Sequence, residues 1–211
     1  MVDFIYLASQ SPRRRQLLEQ LGVRLSLLLP DDSDAAEALE AVRAGEAPAT
    51  YVRRVTRLKL DDAVLRLAEQ ARPAAPVLCA DTTVALGRAI LGKPRDAQDA
   101  ADMLRQLSGD THRVLTAVAV QQGDWRGEAM SESRVRFAVL SDEDIRAYID
   151  SGEWEGKAGA YAIQGRAEAF VAHLSGSHSG VMGLPLHETA CLLGIGPAAT
   201  EADADRVAVA G

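Results

Sequence analysis

Short apolar runs alternate with helical patterns along this chain. Residues 4–8 form an apolar run typical of a buried strand, and Leu17, Leu18 and Leu21 share one face of a helix predicted from Pro12 to Leu21. Further strands are predicted at residues 23–29, 77–80, 114–120, 133–140 and 169–174, and further helices at residues 48–69, 96–107, 141–149 and 185–193. The acidic, alanine-rich residues 31–45 are either an ordered loop or a short helix. The pattern predicts alternating strands and helices without an internal repeat.

The apolar run at residues 77–80 is typical of a strand that is buried on both faces. It leads directly into Asp81, Thr82 and Thr83, which the pattern places at the end of this strand. Ligands of open α/β sheets bind at the carboxyl ends of strands. A charge at that position would also be costly to bury without a partner. Asp81 is therefore a candidate functional residue.

The segment from Leu7 to Arg15 joins the first strand to a helix that starts at a proline and has three arginines in its first turn. Cations near a helix N-terminus are unfavourable because the helix dipole is positive there. Backbone N–H groups, the hydroxyls of Ser9 and Ser11 and the guanidinium groups together make a phosphate-binding corner, if a polyanion offsets the repulsion. The alternative is a solvated basic helix face.

Composition limits the partners of this corner. The chain has 211 residues, 47% hydrophobic and 25% charged, which fits one soluble globular domain, and its net charge is −7. A general nucleic-acid binder needs a broad basic surface, so the arginines are a local device and we expect no nucleic-acid partner. Cys79 and Cys191 lack the spacing of a zinc site and are read as buried thiols of a cytosolic protein. We expect no export signal and no membrane span.

Several basic side chains are suited to a triphosphate. Arg13 and Arg14 can hold phosphate oxygens bidentately, while Lys59 and Lys93 are compact charges suited to the same anion. Such residues are also common on solvated surfaces.

Carboxylates and an amide complete the candidate chemistry. Asp81 could bind a divalent metal or act as general base, with Glu40 as its partner around Mg²⁺. Gln164, which lies in a glycine-bearing loop, could recognise a base edge or could equally satisfy the loop backbone. His112 follows a Ser-Gly-Asp-Thr turn and could be functional, whereas the other three histidines have no metal-ligand spacing. All four are interpreted as structural or peripheral.

The chain resembles the Maf family of nucleoside triphosphate pyrophosphatases from about Ile5 to Leu193. Six motifs carry the resemblance, in the expected order: LASQSPRRR at 7–15, ADT at 80–82, GKP at 92–94, SGDTHRVLT at 108–116, KAGAYAIQG at 157–165 and GLPL at 183–186. The resemblance implies an α/β fold like that of inosine triphosphatases, with a mixed, elongated, bent sheet flanked by helices. It also implies metal-dependent cleavage between the α- and β-phosphates, a cytoplasmic location and a homodimer. We expect one domain over residues 1–196 and a poorly ordered tail over 197–211.

Residue by residue, Asp81 matches the proton acceptor of the family. Arg13, Thr82 and Gln164 match its specificity positions, and the Asp-Thr and Gln-Gly pairs are similar to those of the dTTP/UTP subfamily. Arg14, Lys59 and Lys93 match further basic residues of the active site, and Ser9 is assigned to substrate binding.

The second acidic residue is less well defined, because the pattern around residues 38–46 departs from the family. Spacing back from Gly45 and Glu46 selects Glu40, although Glu37 or Asp34 could fill the role. The predicted metal ligands are Asp81 and Glu40, and the predicted cofactor is Mg²⁺ or Mn²⁺.

The expected activity is hydrolysis of dTTP, UTP or a related modified pyrimidine nucleotide to the monophosphate and pyrophosphate. Two alternatives remain open. One is a nucleotide-binding regulator of cell division without turnover, and the other is a pyrophosphatase for 7-methyl-GTP or another modified nucleotide.

Overall fold

The computed structural model describes residues 4–30, 38–196 and 207–209, which form a mixed sheet flanked by helices. The described strands are β1 (Ile5–Leu7), β2 (Leu25–Leu27), β3 (Val77–Leu86), β4 (Ala89–Leu91), β5 (Thr111–Gln122), β6 (Trp125–Phe137), β7 (Val171–Ser175) and β8 (Val207–Val209). The described helices are α1 (Pro12–Gln20), α2 (Pro48–Glu69), α3 (Ala97–Leu107), α4 (Asp142–Asp150), α5 (His178–Met182) and α6 (Leu186–Leu192), with 3₁₀ turns at Ala158–Ala160 and Arg166–Phe170. The predicted α/β fold is confirmed.

The sheet has the order β2-β1-β3-β5-β6-β7, with β4 beside β3 and β8 beside β6. β1 runs parallel to both β2 and β3, and the remaining pairs are antiparallel. Both faces of the parallel part are covered. Tyr6, Val77 and Cys79 pack against α2, whereas Leu78 and Ala80 pack on the opposite face with α1 and α6. This burial on two faces explains the continuous apolar run at 77–80.

One edge of β3 has a gap that positions the site. β1 pairs with β3 only at Val77 and Leu78, and β4 pairs with the same edge at Val84–Leu86. Between these partners, residues 79–83 have no strand partner on this edge within the described part of the chain. The opposite edge is paired with β5 throughout. A ligand can therefore approach the backbone of β3 at this gap.

Helix α2 is fixed over the sheet by an ion-pair cluster. Glu128 on β6 is buried, and it accepts hydrogen bonds from Arg57 Nε at 2.6 Å and from Arg53 Nη1 at 3.0 Å. Hydrogen bonds from Arg57, partly opposed by burial, lower the pKa of Glu128. Because α2 carries Lys59, this anchor also fixes one side of the site.

The main differences from the predicted elements concern strand lengths. β3 continues six residues past Ala80 to Leu86, because Thr83, Val84 and Ala85 are buried and pair with β5. Asp81 therefore lies in the middle of its strand, and the prediction that it ends the strand is wrong. β6 begins at Trp125 instead of residue 133, since it forms a hairpin with β5 and the Arg53 and Arg57 pairs allow Glu128 to be buried.

Other elements agree more closely with the pattern. α1 begins at Pro12 with Ser11 as its N-cap, and α4 has the Ser141–Asp144 capping box. Helix α5 was not predicted. Of the segment predicted to be a poorly ordered tail, Val207–Val209 form a strand, and the rest lies outside the described residues. No helix in the described part of the chain combines the length and the apolar character that a membrane span requires.

Candidate active site

The candidate site is a cavity of about 450 Å³ at the gap in the edge of β3. It brings together residues that are distant in sequence. Of the predicted site residues, eight line it: Ser9, Arg13, Arg14, Glu40, Lys59, Asp81, Thr82 and Lys93. The strand–helix corner, α2, β3 and the turn after β4 thus meet at one place.

Asp81 and Thr82 divide this cavity between the two faces of the sheet. Successive side chains of a strand point to opposite faces. Asp81 follows the alternation of Val77 and Cys79 toward α2, and Thr82 follows that of Ala80 toward α1. Two neighbouring residues therefore face different chemical surroundings.

On the α2 face, Lys59 joins two carboxylates. Its Nζ donates to Asp81 Oδ1 at 2.7 Å and to Glu40 Oε1 at 2.6 Å, and Lys93 Nζ lies 3.1 Å from Glu40 Oε2. We refer to Asp81, Glu40, Lys59 and Lys93 as the carboxylate cluster. Tyr51 lies about two helical turns before Lys59 on α2. Its hydroxyl donates to the backbone carbonyl of Glu40 at 2.9 Å and so holds the backbone of Glu40 in place.

The two carboxyl groups have opposite pKa shifts. Asp81 is only 6% exposed, and burial raises its pKa, with the charge of Lys59 acting in the opposite direction. Burial also acts to raise the pKa of Glu40, but the charges and hydrogen bonds of Lys59 and Lys93 outweigh it and lower the pKa. Divergent carboxyl pKa values are typical of acid–base sites.

One oxygen of Asp81 is available for chemistry. Lys59 contacts Oδ1, while Oδ2 accepts no hydrogen bond from the described residues, and Asp81 lines the cavity. A water molecule or a cation could therefore reach Oδ2.

On the α1 face, the arginines donate to neutral oxygens. Arg14 donates through Nε to Gly183 O at 2.8 Å, through Nη1 to Ser9 Oγ at 3.1 Å and through Nη2 to Thr82 Oγ1 at 3.4 Å. Arg13 Nε donates to Met182 O at 3.1 Å. Since a guanidinium has five N–H donors, Arg14 keeps two and Arg13 keeps four for a ligand.

Lys157 also lines the cavity, and its Nζ donates to the carbonyl of Glu155 at 2.7 Å. We refer to Ser9, Arg13, Arg14 and Lys157 as the cation cluster. Burial lowers the pKa of Arg13, and the charge of Arg14 lowers it further. This cluster lacks a carboxylate of its own, in contrast to the first one.

A directed chain of hydrogen bonds fixes Thr82. Thr116 Oγ1 donates to Gly180 O at 2.7 Å, so in its 2.9 Å contact with Thr82 Oγ1 it must accept. Thr82 then donates to Thr116 and accepts from Arg14. Toward a ligand, the Thr82 hydroxyl oxygen can therefore accept a hydrogen bond but has no proton left to donate.

An aromatic residue forms part of the cavity wall. Tyr161 lines the cavity, and its hydroxyl lies 2.8 Å from Nε2 of the buried His112. Burial lowers the pKa of His112 to about 4, so this side chain is neutral at pH 7. His112 thus supports Tyr161 from behind, which fits the structural role predicted for it.

The structure does not bring Gln164 into the cavity. Its side chain is exposed. Gln164 lies in a turn closed by a hydrogen bond from Gly165 N to Ala162 O, in which the preceding Ile163 is buried. The alternatives Glu37 and Asp34 lie outside the described residues. Arg15 is exposed and pairs with Glu19 on the surface of α1.

The sequence reasoning did not find Tyr51, Lys157 and Tyr161. Tyr51 stands eight residues before Lys59, which places both on one face of α2, and this spacing was the available signal. Lys157 and Tyr161 lie in the motif at 157–165, whose glycines drew attention to Gln164 instead.

Comparison with known proteins decides the family. A family model described as Maf-like protein matches residues 4–194. The chain belongs to the Maf-like family. Within it, the dTTP/UTP pyrophosphatase of Polaromonas sp. (strain JS666 / ATCC BAA-500) is 64% identical over 191 residues, which cover 90% of this chain and 95% of the relative.

Two further relatives of this Maf-like chain have the same name. The dTTP/UTP pyrophosphatase of Albidiferax ferrireducens is 64% identical over 193 residues, covering 92% of this chain and 96% of the relative. That of Ralstonia nicotianae is 63% identical over 190 residues, covering 90% and 92%. The predicted family is thereby confirmed.

Proposed function

We propose that this chain hydrolyses dTTP and UTP to the nucleoside monophosphate and pyrophosphate. The names of its relatives support this activity. The observation that carries the proposal is the carboxylate cluster, in which one lysine holds Asp81 and Glu40 beside a set of cations in one cavity. That combination supplies a base and a polyphosphate-binding surface at the same place.

In the proposed reaction, Asp81 is the general base. Its Oδ2 takes a proton from water while the water oxygen attacks the α-phosphorus. The bond from that phosphorus to the α,β-bridging oxygen breaks, and the electron pair leaves with pyrophosphate. Lys59 holds Asp81 through the other oxygen, so the base keeps a fixed orientation. The arginines and lysines of the two clusters neutralise the charge that develops on the phosphates.

The donor set fits a divalent cation that is shared with the substrate. The described residues contain no group of three or more His, Cys, Asp or Glu side chains placed for a metal ion. Mg²⁺ in phosphate-binding sites commonly uses one or two carboxylates together with substrate phosphates, and Asp81 and Glu40 provide two. Mg²⁺ or Mn²⁺ held there would screen negative charge on the phosphates when bound.

Base selection is proposed for Thr82, which can accept a hydrogen bond from a ligand. For Gln164 the prediction rests on the family pattern, because its exposed side chain is outside the cavity lining. A cytoplasmic location and a homodimer, both implied by the family, also stay predictions. Light scattering of the purified chain tests the dimer.

A substrate panel tests the proposed function. Canonical and modified nucleoside triphosphates, including 7-methyl-GTP, are incubated with the protein with and without Mg²⁺ or Mn²⁺, and pyrophosphate release is measured. We expect dTTP and UTP to give the highest kcat/KM in the presence of metal. Preference for 7-methyl-GTP would favour the related pyrophosphatase, and tight binding of dTTP without release of pyrophosphate would favour a regulator.

A further inference from the structure

Of the 23 basic residues (Lys and Arg) in this chain, only three are lysines, and all three line the same cavity. Two of them, Lys59 and Lys93, belong to the carboxylate cluster. The third is Lys157. Lysine and arginine differ in their chemistry, since an ammonium is a compact point charge and a guanidinium is a planar fork. A chain that uses arginine almost everywhere else thus places its compact cations at one site.

Lys157 differs from the other two lysines in its electrostatic partners. Lys59 and Lys93 contact carboxylates, whereas Lys157 donates to the neutral carbonyl of Glu155. Across the described residues no carboxylate forms an ion pair with Lys157 or with Arg13. Burial lowers the pKa of Lys157, the charge of Arg13 lowers it further, and the charges of Glu155 and Glu153 only partly oppose this shift. Two cations that repel each other in a cavity, and that form no ion pair with a carboxylate of the described residues, are stabilised by an anion between them.

The backbone around Lys157 is held firmly. Gly159 N donates to Gly92 O at 3.0 Å, which ties this loop to the turn that carries Lys93. A Cβ on Gly159, whose φ is +67°, would approach Val84 to 2.9 Å, so the loop packs tightly against β3. Ala160 is buried with φ +61°, a left-handed conformation that is uncommon for a residue other than glycine. Such local strain persists where the surroundings determine it, often at ligand sites.

We infer that Lys157, together with Arg13, binds the phosphates that leave as pyrophosphate. This inference rests on the proposed function, which places the attacking water at Asp81 and therefore the α-phosphate beside the carboxylate cluster. The β- and γ-phosphates carry most of the negative charge and need cations that are not engaged in ion pairs with carboxylates. Lys157 and Arg13 are the cavity cations that meet this need most fully, since Arg14 has three of its donors engaged by the protein.

The test measures binding of inorganic pyrophosphate and of dTMP by titration calorimetry, with and without Mg²⁺. The variants are Lys157→Met, Lys157→Gln and the charge-preserving Lys157→Arg. Arg166→Gln is the matched control, because it removes the same charge from an exposed residue close in sequence and outside the cavity lining. Circular dichroism and thermal melting verify the fold of each variant.

We expect Lys157→Met and Lys157→Gln to weaken pyrophosphate binding roughly tenfold or more, with dTMP binding nearly unchanged. Lys157→Arg should retain most of the affinity, and Arg166→Gln should change it less than about twofold. If Lys157→Met does not fold, Lys157→Gln decides the question. Wild-type pyrophosphate affinity in a folded neutral variant, or an equal loss for dTMP, would overturn the inference. A wild-type protein that binds pyrophosphate through Lys157 but hydrolyses no nucleotide would refute only the proposed function.

Discussion

The two faces of β3 present opposite solutions to the same electrostatic problem. On the α2 face, Lys59 and Lys93 are paired with Asp81 and Glu40, and the cluster is nearly neutral without a ligand. On the α1 face, the cations donate to backbone carbonyls and hydroxyls, and none of them forms an ion pair with a carboxylate of the described residues. The difference suggests a division of labour in which the first cluster performs chemistry and the second binds the polyanion.

This comparison leads to a general expectation for variants. Changes in the carboxylate cluster should mainly lower kcat, because they alter the base and its orientation. Changes in the cation cluster should mainly raise KM, because they remove binding that the ground state already has. The following predictions are ordered from the largest expected effect to the smallest.

Asp81→Asn should lower kcat for dTTP on the order of a thousandfold, because the amide cannot accept the proton from water. The fold should survive. Burial raises the pKa of Asp81, and a group with a raised folded pKa contributes stability below its unfolded pKa that is lost as the pH rises through the folded value. Burial thus disfavours the charged carboxylate, and asparagine removes that cost. Pyrophosphate release and urea unfolding measure both effects.

Asp124→Asn is the control for this change, since it makes the same substitution at an exposed residue outside the cavity. Near-wild-type turnover by the folded Asp81→Asn variant would sink the assignment of the base.

Lys59→Met should lower kcat by about a hundredfold and shift the pH profile. The charge and hydrogen bond of Lys59 oppose the effect of burial on the pKa of Asp81. Without Lys59 that pKa rises further, so the acid limb of kcat/KM should move to higher pH by about one unit or more.

Lys93→Met is the comparison for the pH profile, because it removes an equal charge from the same cluster but contacts Glu40 and not Asp81. Its acid limb should stay close to that of the wild type. An unshifted limb for Lys59→Met would mean that Asp81 is not the group titrating there.

The residue types of both clusters could be predicted from the sequence, but not the fact that the two clusters lie on opposite faces of β3. Within a strand, alternation would place Asp81 and Thr82 on opposite faces. The predicted strand ends at Ala80, however, so the alternation could not be extended to these two residues. The length of β3 depends on pairing with β5, about 35 residues away in sequence, and such long-range pairing leaves no local signal. The start of α1 at Pro12 depends on local sequence, and it is predicted correctly.

The position of Gln164 illustrates the same limit. Its loop was identified by its glycines, but whether a loop side chain faces the cavity depends on turns such as that between Ala162 and Gly165. Lys157 was present in the same motif and received no role. Its role depends on which cations of the cavity form ion pairs with carboxylates, and that is set by the tertiary fold.

Arg13→Gln and Arg14→Gln should separate binding from stability within the cation cluster. Both should raise KM roughly tenfold to a hundredfold through lost contacts to phosphate. Arg14→Gln should also lower the free energy of unfolding by about 1–3 kcal/mol, because Gly183 O, Ser9 and Thr82 lose their donor. Arg13→Gln should lower it less, since only Met182 O loses its donor.

Arg15→Gln provides the control for these two variants, since this exposed arginine of the same helical turn pairs only with Glu19. It should alter stability by less than about 0.5 kcal/mol and leave KM unchanged. Equal stability of the Arg13 and Arg14 variants in urea titration would contradict the contrast between them.

Thr116→Val tests the hydrogen-bond chain that fixes Thr82, and it is expected to have the smallest effect. Valine keeps the shape of the buried side chain but removes the donor to Gly180 O and the acceptor for Thr82. Stability should fall by about 1 kcal/mol. Thr82 would then have a free hydroxyl proton to offer a ligand, so the ratio of kcat/KM for UTP to that for CTP should decrease, since cytosine presents an acceptor where uracil presents a donor. Thr116→Ser, which retains the hydroxyl, should keep the wild-type ratio, and an unchanged ratio in Thr116→Val would remove Thr82 from base selection.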